Sequence, residues 1–316
     1  NNKIGYIILF SLFMQYILLD KINYQQEQLH IESRSIESLA KNMGSPFYCY
    51  SQARLLENVQ RCKAAFEPRG IRIHYAMKAN SNLHILGLIA EQGLGVDLVS
   101  GGEMQRALTA GFSAESMIFS GVGKTASEIA RALEVGVGCF NVESQSELET
   151  LSHVASSQNK IAPISIRVNP DVDAKTHPYI STGLKENKFG IDINDAINVY
   201  KRASSLPALR INGVDCHIGS QLTETQPFLD ALDRVLKLVD DLADEGISIH
   251  HLDLGGGLGV TYNNETPPAI GDYIGAIKAK LGHRKIALMF EPGRSIAANA
   301  GVLLTRVEYL KPTEHK

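Results

Sequence analysis

Residues 71–80, IRIHYAMKAN, form the segment from which the fold can be read. Apolar side chains occupy alternate positions from Ile71 to Met77, which is the period of a β-strand. Lys78 follows at the carboxyl end of this predicted strand. A lysine in that position is usually a solvated charge, so its meaning depends on whether the rest of the chain repeats the same layout.

The same layout recurs along the chain. Short apolar segments separated by helical patterns predict eight strands, at residues 71–77, 96–99, 117–119, 139–142, 164–168, 211–216, 251–254 and 287–290. Strands that are apolar at nearly every position are buried on both faces, which is typical of a closed parallel (β/α)8 barrel of the TIM type. A doubly wound open sheet is the alternative, but it usually has fewer strands and a dinucleotide fingerprint after the first one, which is missing here.

Helix boundaries between these strands are marked in the sequence. Three hydroxyl residues precede a glutamate by three positions, the pattern of a capping box: Ser100 with Glu103, Thr125 with Glu128, and Ser144 with Glu147. Glycines follow three helix ends, where a left-handed residue is favoured, at positions 111, 136 and 246. The longest helix carries an apolar stripe that predicts core packing: Phe228, Leu232, Val235, Val239 and Leu242.

Composition limits the class of protein. The 316 residues, 44% of them hydrophobic, suffice for one large barrel and part of a second domain. A formal net charge of -3 gives no electrostatic reason to expect a nucleic-acid partner. The four cysteines form no CxxC pair, so neither a metal site nor a disulfide framework is predicted, and reduced thiols in a cytoplasmic protein are expected.

The two chain ends differ from the repeating middle. Residues 4–19 are uncharged and mostly apolar, but this stretch is shorter than the roughly 20 residues that span a bilayer and lacks a signal-peptide cleavage site. No membrane partner is therefore expected. Because the chain begins with Asn1, residues 1–21 are interpreted as a non-native leader, with Met14 as a candidate start. Outside the barrel we predict strands at 22–31, 47–50 and 301–309, and a short helix over 35–42 that ends at Gly44.

Candidate functional residues stand where the predicted strands end, because barrel enzymes carry their active sites there. These positions are Lys78, Ser100, Asn169, His217, the GGGLG loop at 255–259 and the EPGR loop at 291–294. The two loops follow the last two strands, where barrels bind phosphate through amides that glycine leaves accessible, and Arg294 can add a charged hydrogen bond. A tight turn is the alternative explanation of the triple glycine.

Two similarities to nucleotide-binding motifs fail. SGVGKT at 120–125 lacks the first glycine of a P-loop because Ile118 stands there, and the segment 255–260 ends in Val260 where GxGxxG requires glycine. The histidines at 250, 251 and 283 have no polar companions in the pattern and are interpreted as structural.

A lysine, a phosphate cradle, a carboxylate and a histidine at one barrel mouth match the needs of pyridoxal 5′-phosphate. The amine of Lys78 can bond to the aldehyde of that cofactor, and Glu291 is placed to keep the pyridine nitrogen protonated. His217 could stack on the ring, and a hydrogen-bonded core histidine is the alternative.

Several motifs, in order along the chain, resemble those of the fold type III pyridoxal-phosphate-dependent decarboxylases. They are HYAMKANSN (74–82), VDLVSGGE (96–103), NVESQSELE (141–149), RVNPDVDAKTHPYISTGLKENKFGI (167–191), CHIGSQ (216–221), DLGGGLG (253–259) and EPGRSI (291–296). The resemblance covers residues 22–316, nearly everything except the leader.

The resemblance implies a role for each matching residue. Lys78 would carry the cofactor, His217 would stack on it and Glu291 would contact the pyridine nitrogen, so these three are the expected catalytic residues. The remaining cofactor-binding residues would surround the phosphate, and Arg294 would also reach the substrate: Ser220, Gly256, Gly257, Pro292, Gly293 and Arg294. Related alanine racemases place an arginine at the pyridine nitrogen, so Glu291 favours decarboxylation.

The resemblance also implies an activity and an organisation. The expected reaction removes CO2 from meso-2,6-diaminopimelate to give L-lysine; the alternatives are ornithine, arginine or carboxynorspermidine as substrate, or a cofactor-binding relative without catalysis. A homodimer is expected. The implied domains are β-domain strands over 22–48, the cofactor-binding barrel over 49–296, and the start of an incomplete antiparallel β-domain over 297–316. A CESGD motif and a tyrosine for the phosphate would follow Lys316.

Overall fold

The computed structural model describes residues 6–8, 21–173 and 189–312. Most of the predicted leader, including Met14, and much of the motif at 167–191 therefore lie outside the described residues.

Short elements precede the barrel. In chain order they are β1 (Tyr6–Ile8), β2 (Ile22–Gln25), β3 (Gln28–Ile31), β4 (Arg34–Ser35), α1 (Ile36–Met43) and β5 (Phe47–Tyr50). Strands β2, β3 and β4 form a small antiparallel sheet. Helix α1 begins after Ser35 and ends at Gly44, whose φ of 81° confirms the predicted stop.

The single strand predicted over 22–31 is wrong, because the chain folds there into a hairpin. Its two turn residues, Gln26 and Glu27, have φ values of 50° and 62°. A two-residue turn with positive φ at both positions is usually signalled by Asn-Gly or Asp-Gly. Since neither residue is of that type, the composition carries no sign of this turn.

The rest of the chain alternates strands and helices. Its elements are α2 (Gln52–Phe66), β6 (Arg72–Ala76), α3 (Leu83–Glu91), β7 (Gly95–Leu98), α4 (Gly101–Thr109), β8 (Met117–Phe119), α5 (Ala126–Val135), β9 (Cys139–Val142), α6 (Gln145–Ser157), β10 (Ala162–Asn169), β11 (Ile191–Asp192), α7 (Ala196–Ser205), β12 (Leu209–Asp215), α8 (Gln226–Asp244), β13 (His251–Asp253), α9 (Ile270–Leu281), β14 (Ala287–Phe290), α10 (Arg294–Ala297) and β15 (Gly301–Arg306).

Parallel pairing closes these strands into a barrel. The order β6, β7, β8, β9, β10, β12, β13, β14 returns to its start, because Met289 of β14 pairs with Arg72 of β6. The predicted (β/α)8 barrel is thus confirmed. The short strand β11, which pairs with the end of β10, was not predicted.

Both faces of the barrel strands are buried, but they differ in chemistry. In β6, Ile73 and Tyr75 belong to the apolar core, whereas His74 between them is a buried polar residue. Such polar side chains meet inside the barrel, where Ser165 Oγ of β10 lies 2.7 Å from His251 Nε2 of β13 although β12 separates these two strands. In residues 71–77, the apolar side chains therefore face the surrounding helices and the side chains between them face the barrel interior.

The predicted helix signals are largely present. The apolar stripe of α8 is buried, and glycines 111, 136 and 246 have φ values of 97°, 84° and 76°. Of the three predicted capping boxes, that of Thr125 and Glu128 is reciprocal. At Ser100 and Ser144 the hydroxyl caps the helix, but the glutamate accepts from the amide one residue earlier. Ser100 and Ser144 have φ values of -156° and -157°, whereas Thr125 has -79°. The amides of the two serines therefore point away from the glutamate carboxylates.

A three-stranded antiparallel sheet joins the chain ends. Strand β15 pairs with β5 on one side and with β1 on the other. The predicted final strand over 301–309 ends earlier, at Arg306. None of the helices in the described ranges combines the length and hydropathy that a bilayer crossing requires.

Candidate active site

A cavity of about 510 Å³ opens at the carboxyl ends of the barrel strands. The β5–β15 sheet forms part of its wall through Tyr48, Tyr50 and Val302. The residues predicted to bind the cofactor all line this cavity: Lys78, His217, Ser220, Gly256, Gly257, Glu291, Pro292, Gly293 and Arg294. Ser100 and Asn169, which also end predicted strands, do not line it; Ser100 caps α4 and Asn169 accepts a hydrogen bond from the Asp171 amide.

Lys78 lies in a 3-10 turn (Met77–Ala79) directly after β6. The strand ends at Ala76, one residue earlier than predicted, so Lys78 is the second residue after the strand rather than the first. Its Nζ donates to Oδ2 of Asp97 at 2.9 Å, and about half of its side chain (53%) is exposed to the cavity. Burial alone would lower the pKa of Lys78, but the charges of Asp97 and Glu291 outweigh it and raise that pKa. The amine is therefore held as an ammonium ion at the edge of the cavity.

Three carboxyl groups gather beneath the cavity. Asp215 and Asp253 are the last residues of β12 and β13, Glu291 follows β14, and one oxygen of each lies within 4.8 Å of the others. Burial first, and then the neighbouring negative charges, raise the pKa of Glu291 well above its ordinary value and that of Asp253 to about 7. Burial likewise raises the pKa of Asp215, although Arg167 opposes this.

Arg167 and Glu143 support this cluster from the side. Arg167 Nη1 donates to Oε1 of Glu143 at 2.8 Å, and its Nε lies 3.7 Å from Oδ2 of Asp215. The second oxygen of Glu143 accepts from the Gly190 amide at 2.7 Å, which ties the chain after residue 188 to the site.

His217 is held as a neutral imidazole. Its Nδ1 accepts a hydrogen bond from the Gly256 amide at 3.2 Å, which leaves the proton on Nε2. Burial, followed by the charges of Arg167 and Lys78, lowers the pKa of His217 well below its ordinary value. Gly255 makes room for the ring, since a Cβ there would lie 2.4 Å from Nδ1.

The glycine loop after β13 and the EPGR loop after β14 form a cradle. A Cβ on Gly256 would lie 2.4 Å from the carbonyl oxygen of Glu291, so the two loops pack backbone against backbone. Arg294 extends over this cradle, with its Nε donating to Ser220 Oγ at 3.2 Å and its Nη1 donating to the hydroxyl of Tyr262. Glycine amides beside a positioned guanidinium suit a phosphate group.

These features fit pyridoxal 5′-phosphate. The cradle offers a place for the phosphate, and the Lys78 amine faces the same cavity. Within the described residues, Oε1 of Glu291 has no hydrogen-bond partner although it is buried, so it is available to a polar group of a ligand.

Several polar residues of the site were missed by sequence reasoning: Asp97, Glu143, Arg167, Asp215, Asp253 and Tyr262. Most of them lie within strands rather than after them. A signal existed, because a charged residue inside an otherwise apolar barrel strand must be paired with other polar groups in the interior.

Comparison with known proteins agrees with this geometry. Residues 52–298 match the family model described as the pyridoxal-binding domain of pyridoxal-dependent decarboxylases. The chain therefore belongs to the pyridoxal-dependent decarboxylases, and its cofactor is pyridoxal 5′-phosphate.

Individual relatives show which kind of decarboxylase the chain resembles. The chain is 56% identical over 299 residues to the diaminopimelate decarboxylase of Pseudomonas fluorescens, which covers 94% of this chain and 72% of that protein. Among solved structures, the diaminopimelate decarboxylase of Helicobacter pylori complexed with L-lysine superposes with a TM-score of 0.84 at 44% identity, covering 87% of this chain and 70% of that one. The corresponding M. jannaschii enzyme in co-complex with L-lysine gives 0.87 at 37% identity, with 94% and 71% covered.

Proposed function

We propose that this chain removes CO2 from meso-2,6-diaminopimelate and releases L-lysine. The observation that carries the proposal is the placement of a carboxyl group, Glu291, beneath the cavity that Lys78 and the glycine cradle share. The names of the close relatives and the L-lysine complexes of two structural neighbours support the choice of substrate.

The proposed roles follow from the chemistry of each side chain. When bound, pyridoxal phosphate withdraws electrons from the Cα of an amino acid, which allows the bond to its carboxylate to break. Lys78 would hold the cofactor through its amine. Glu291 would place a carboxylate against the pyridine nitrogen and keep that nitrogen protonated.

Other residues orient the reactants. His217 packs its neutral ring at the cavity wall beside Gly255, where it is placed to lie against the face of the cofactor. The amides of the glycine cradle, with Ser220, bind the phosphate. Arg294 is held by two hydroxyl groups and so presents its remaining N–H groups to the phosphate and to the substrate carboxylates.

The proposal extends to assembly and location. We propose a homodimer, as the resemblance implies, and light scattering should then give twice the chain mass of 34.5 kDa. A cytoplasmic location is also proposed, since the four cysteines at 49, 62, 139 and 216 are free. Cell fractionation with an antibody to the chain tests it.

The test of the reaction is an assay of the purified chain with pyridoxal phosphate and meso-2,6-diaminopimelate, in which L-lysine and CO2 are both quantified. Ornithine, arginine and carboxynorspermidine are run beside it. Equal release of L-lysine and CO2 from diaminopimelate is expected. Faster turnover of another amine, or none with any of them on a chain that binds the cofactor, would contradict the proposal.

A Lys78→Ala variant provides the negative control for this assay. The matched control is Lys237→Ala, because Lys237 is exposed on α8 and its ion pair within the described part of the chain is with Asp241, four residues along the same helix. Activity should be lost in the first variant and kept in the second.

A further inference from the structure

The carboxyl groups of Asp253 and Glu291 each have one buried oxygen without a hydrogen-bond partner among the described residues. Oδ1 of Asp253 accepts from the Gly255 amide at 2.9 Å, but its Oδ2 has no partner among the described residues, and neither does Oε1 of Glu291. Both side chains are almost fully buried, at 1% and 6% exposure. Two neighbouring buried carboxyl groups, each short of a donor, satisfy one another when they share a proton, and a side-chain hydrogen bond with Glu291 is among the influences on the pKa of Asp253.

The charges around the pair require such a proton. The facing positive groups are Lys78, Arg72 and Arg167; the facing negative groups are Asp97 and Asp215, and the nearby imidazole of His217 is neutral. Lys78 is already paired with Asp97, Arg167 is paired with Glu143, and Arg72 donates to the sulfur of Met289. The carboxyl pair is thus left without a cation of its own, and the pKa of Asp253, raised to about 7 by burial and then by Asp97, agrees with proton retention near neutral pH.

We propose that Asp253 is a positioning residue whose carboxyl shares one proton with Glu291 before the cofactor binds, which fixes the Glu291 side chain at the pyridine-nitrogen position. When Glu291 meets the protonated pyridine nitrogen, the shared O–H bond breaks and the proton leaves to solvent. Glu291 is then ionised and paired with the N–H of the ring. This inference concerns cofactor loading and depends on the proposed function only through the cofactor site.

Proton release makes cofactor affinity depend on pH. In the wild-type chain, binding is opposed wherever the pair holds its proton, so the dissociation constant rises as the pH falls below about 7. In Asp253→Asn the amide can still donate to Glu291 and keep it in place. The negative charge of Asp253 is gone and the donated hydrogen bond favours the carboxylate, so the pKa of Glu291 falls and less proton is held before the cofactor binds. The ratio of the wild-type to the variant dissociation constant should therefore rise up to about tenfold per pH unit between roughly pH 7 and 5. Protonation of the free cofactor cancels in this ratio because both proteins bind the same ligand.

The experiment is a fluorescence titration of each protein with pyridoxal phosphate from pH 5 to 8.5, together with proton release in weak buffer measured with an indicator dye. Wild type should release more protons per bound cofactor at pH 6 than Asp253→Asn, with a difference of up to about one. Asp272→Asn, on the exposed side of α9, should follow wild type.

Parallel pH profiles and equal proton release for wild type and Asp253→Asn would overturn the inference. Asp253→Ala separates position from charge: it should bind more weakly than Asp253→Asn at every pH, and equal binding by the two would also count against a positioning role. These readouts require no substrate, so a failure to form L-lysine leaves their outcome unaffected.

Discussion

Nζ of Lys78 and Oδ2 of Asp97 lie 2.9 Å apart, with the carboxylate buried and about half of the lysine exposed to the cavity. The pair holds the amine as an ammonium ion, which cannot attack an aldehyde until it loses a proton. Asp97 therefore orients the Lys78 side chain and also slows the attack of its amine on the cofactor aldehyde.

Replacing Asp97 by Asn should shift the pH dependence of covalent cofactor attachment. Without the carboxylate the pKa of Lys78 falls, so at a given pH more of the amine is neutral and attachment is faster than in wild type. Stopped-flow absorbance between pH 6 and 10 measures the two rates. Asp244→Asn, exposed at the end of α8, is the control, and equal rates for Asp97→Asn and wild type would show that the ion pair does not govern the amine.

Glu291→Gln should reduce the decarboxylation rate by roughly 10²-fold or more, because a preorganised charge at the pyridine nitrogen is lost. The cavity keeps its shape in this substitution, so cofactor binding should persist. Steady-state kinetics with saturating cofactor provide the measurement. Near-normal turnover would exclude the proposed role of Glu291.

Tyr262→Phe removes one of the two hydroxyl groups that hold Arg294 and keeps the ring that lies 5.7 Å from its guanidinium carbon. A lost hydrogen bond to a charged group at a partly exposed site costs about 1 kcal/mol, which is roughly a fivefold weaker affinity for the cofactor. Titration by fluorescence detects a change of this size. Ser220→Ala removes the other contact and should also weaken cofactor affinity. Wild-type affinity in both variants would show that Arg294 does not bind the phosphate.

Gly256→Ala tests the packing of the two loops. The new Cβ would meet the Glu291 carbonyl at 2.4 Å, so the loops must move apart at a cost of about 1–3 kcal/mol in the free energy of unfolding. Gly275→Ala on α9 is the matched control, because a Cβ added there would meet no atom within 4 Å, and it should not destabilise the chain. Thermal melts compare the two, and equal melting temperatures would contradict the close packing.

His74 should make the chain sensitive to acid. Burial, followed by the charge of Arg72, lowers the pKa of His74 to about 3, whereas the unfolded chain takes up a proton near 6.5. Stability supplied by the neutral ring is complete above 6.5 and declines as the pH falls toward 3. The difference in unfolding free energy between wild type and His74→Asn should shrink by about 2 kcal/mol from pH 7 to pH 5, as measured by urea denaturation. A constant difference would contradict the burial of a neutral imidazole.

The barrel was predictable because each strand is an unbroken apolar segment between helical patterns. The residues at the strand ends were predictable for the same reason, since a barrel gathers its strand ends at one mouth. Asp97, Asp215 and Asp253 escaped this reasoning because they lie inside the predicted strands 96–99, 211–216 and 251–254, and their closeness depends on barrel closure rather than on sequence distance. The Gln26–Glu27 turn escaped it because hydrogen bonding between the two strands, and not turn-forming residues, imposes the left-handed backbone.

Helix α10 connects the cofactor site to the terminal sheet. Arg294 begins this four-residue helix, and the same short segment runs on into β15 of the terminal sheet. Asn58 of α2 holds the helix by donating to the Ile296 carbonyl at 2.8 Å. We therefore expect the cofactor site and the terminal sheet to be thermodynamically linked. A cavity made beneath β15, as in Leu304→Ala, should weaken cofactor binding, and bound cofactor should stabilise the sheet.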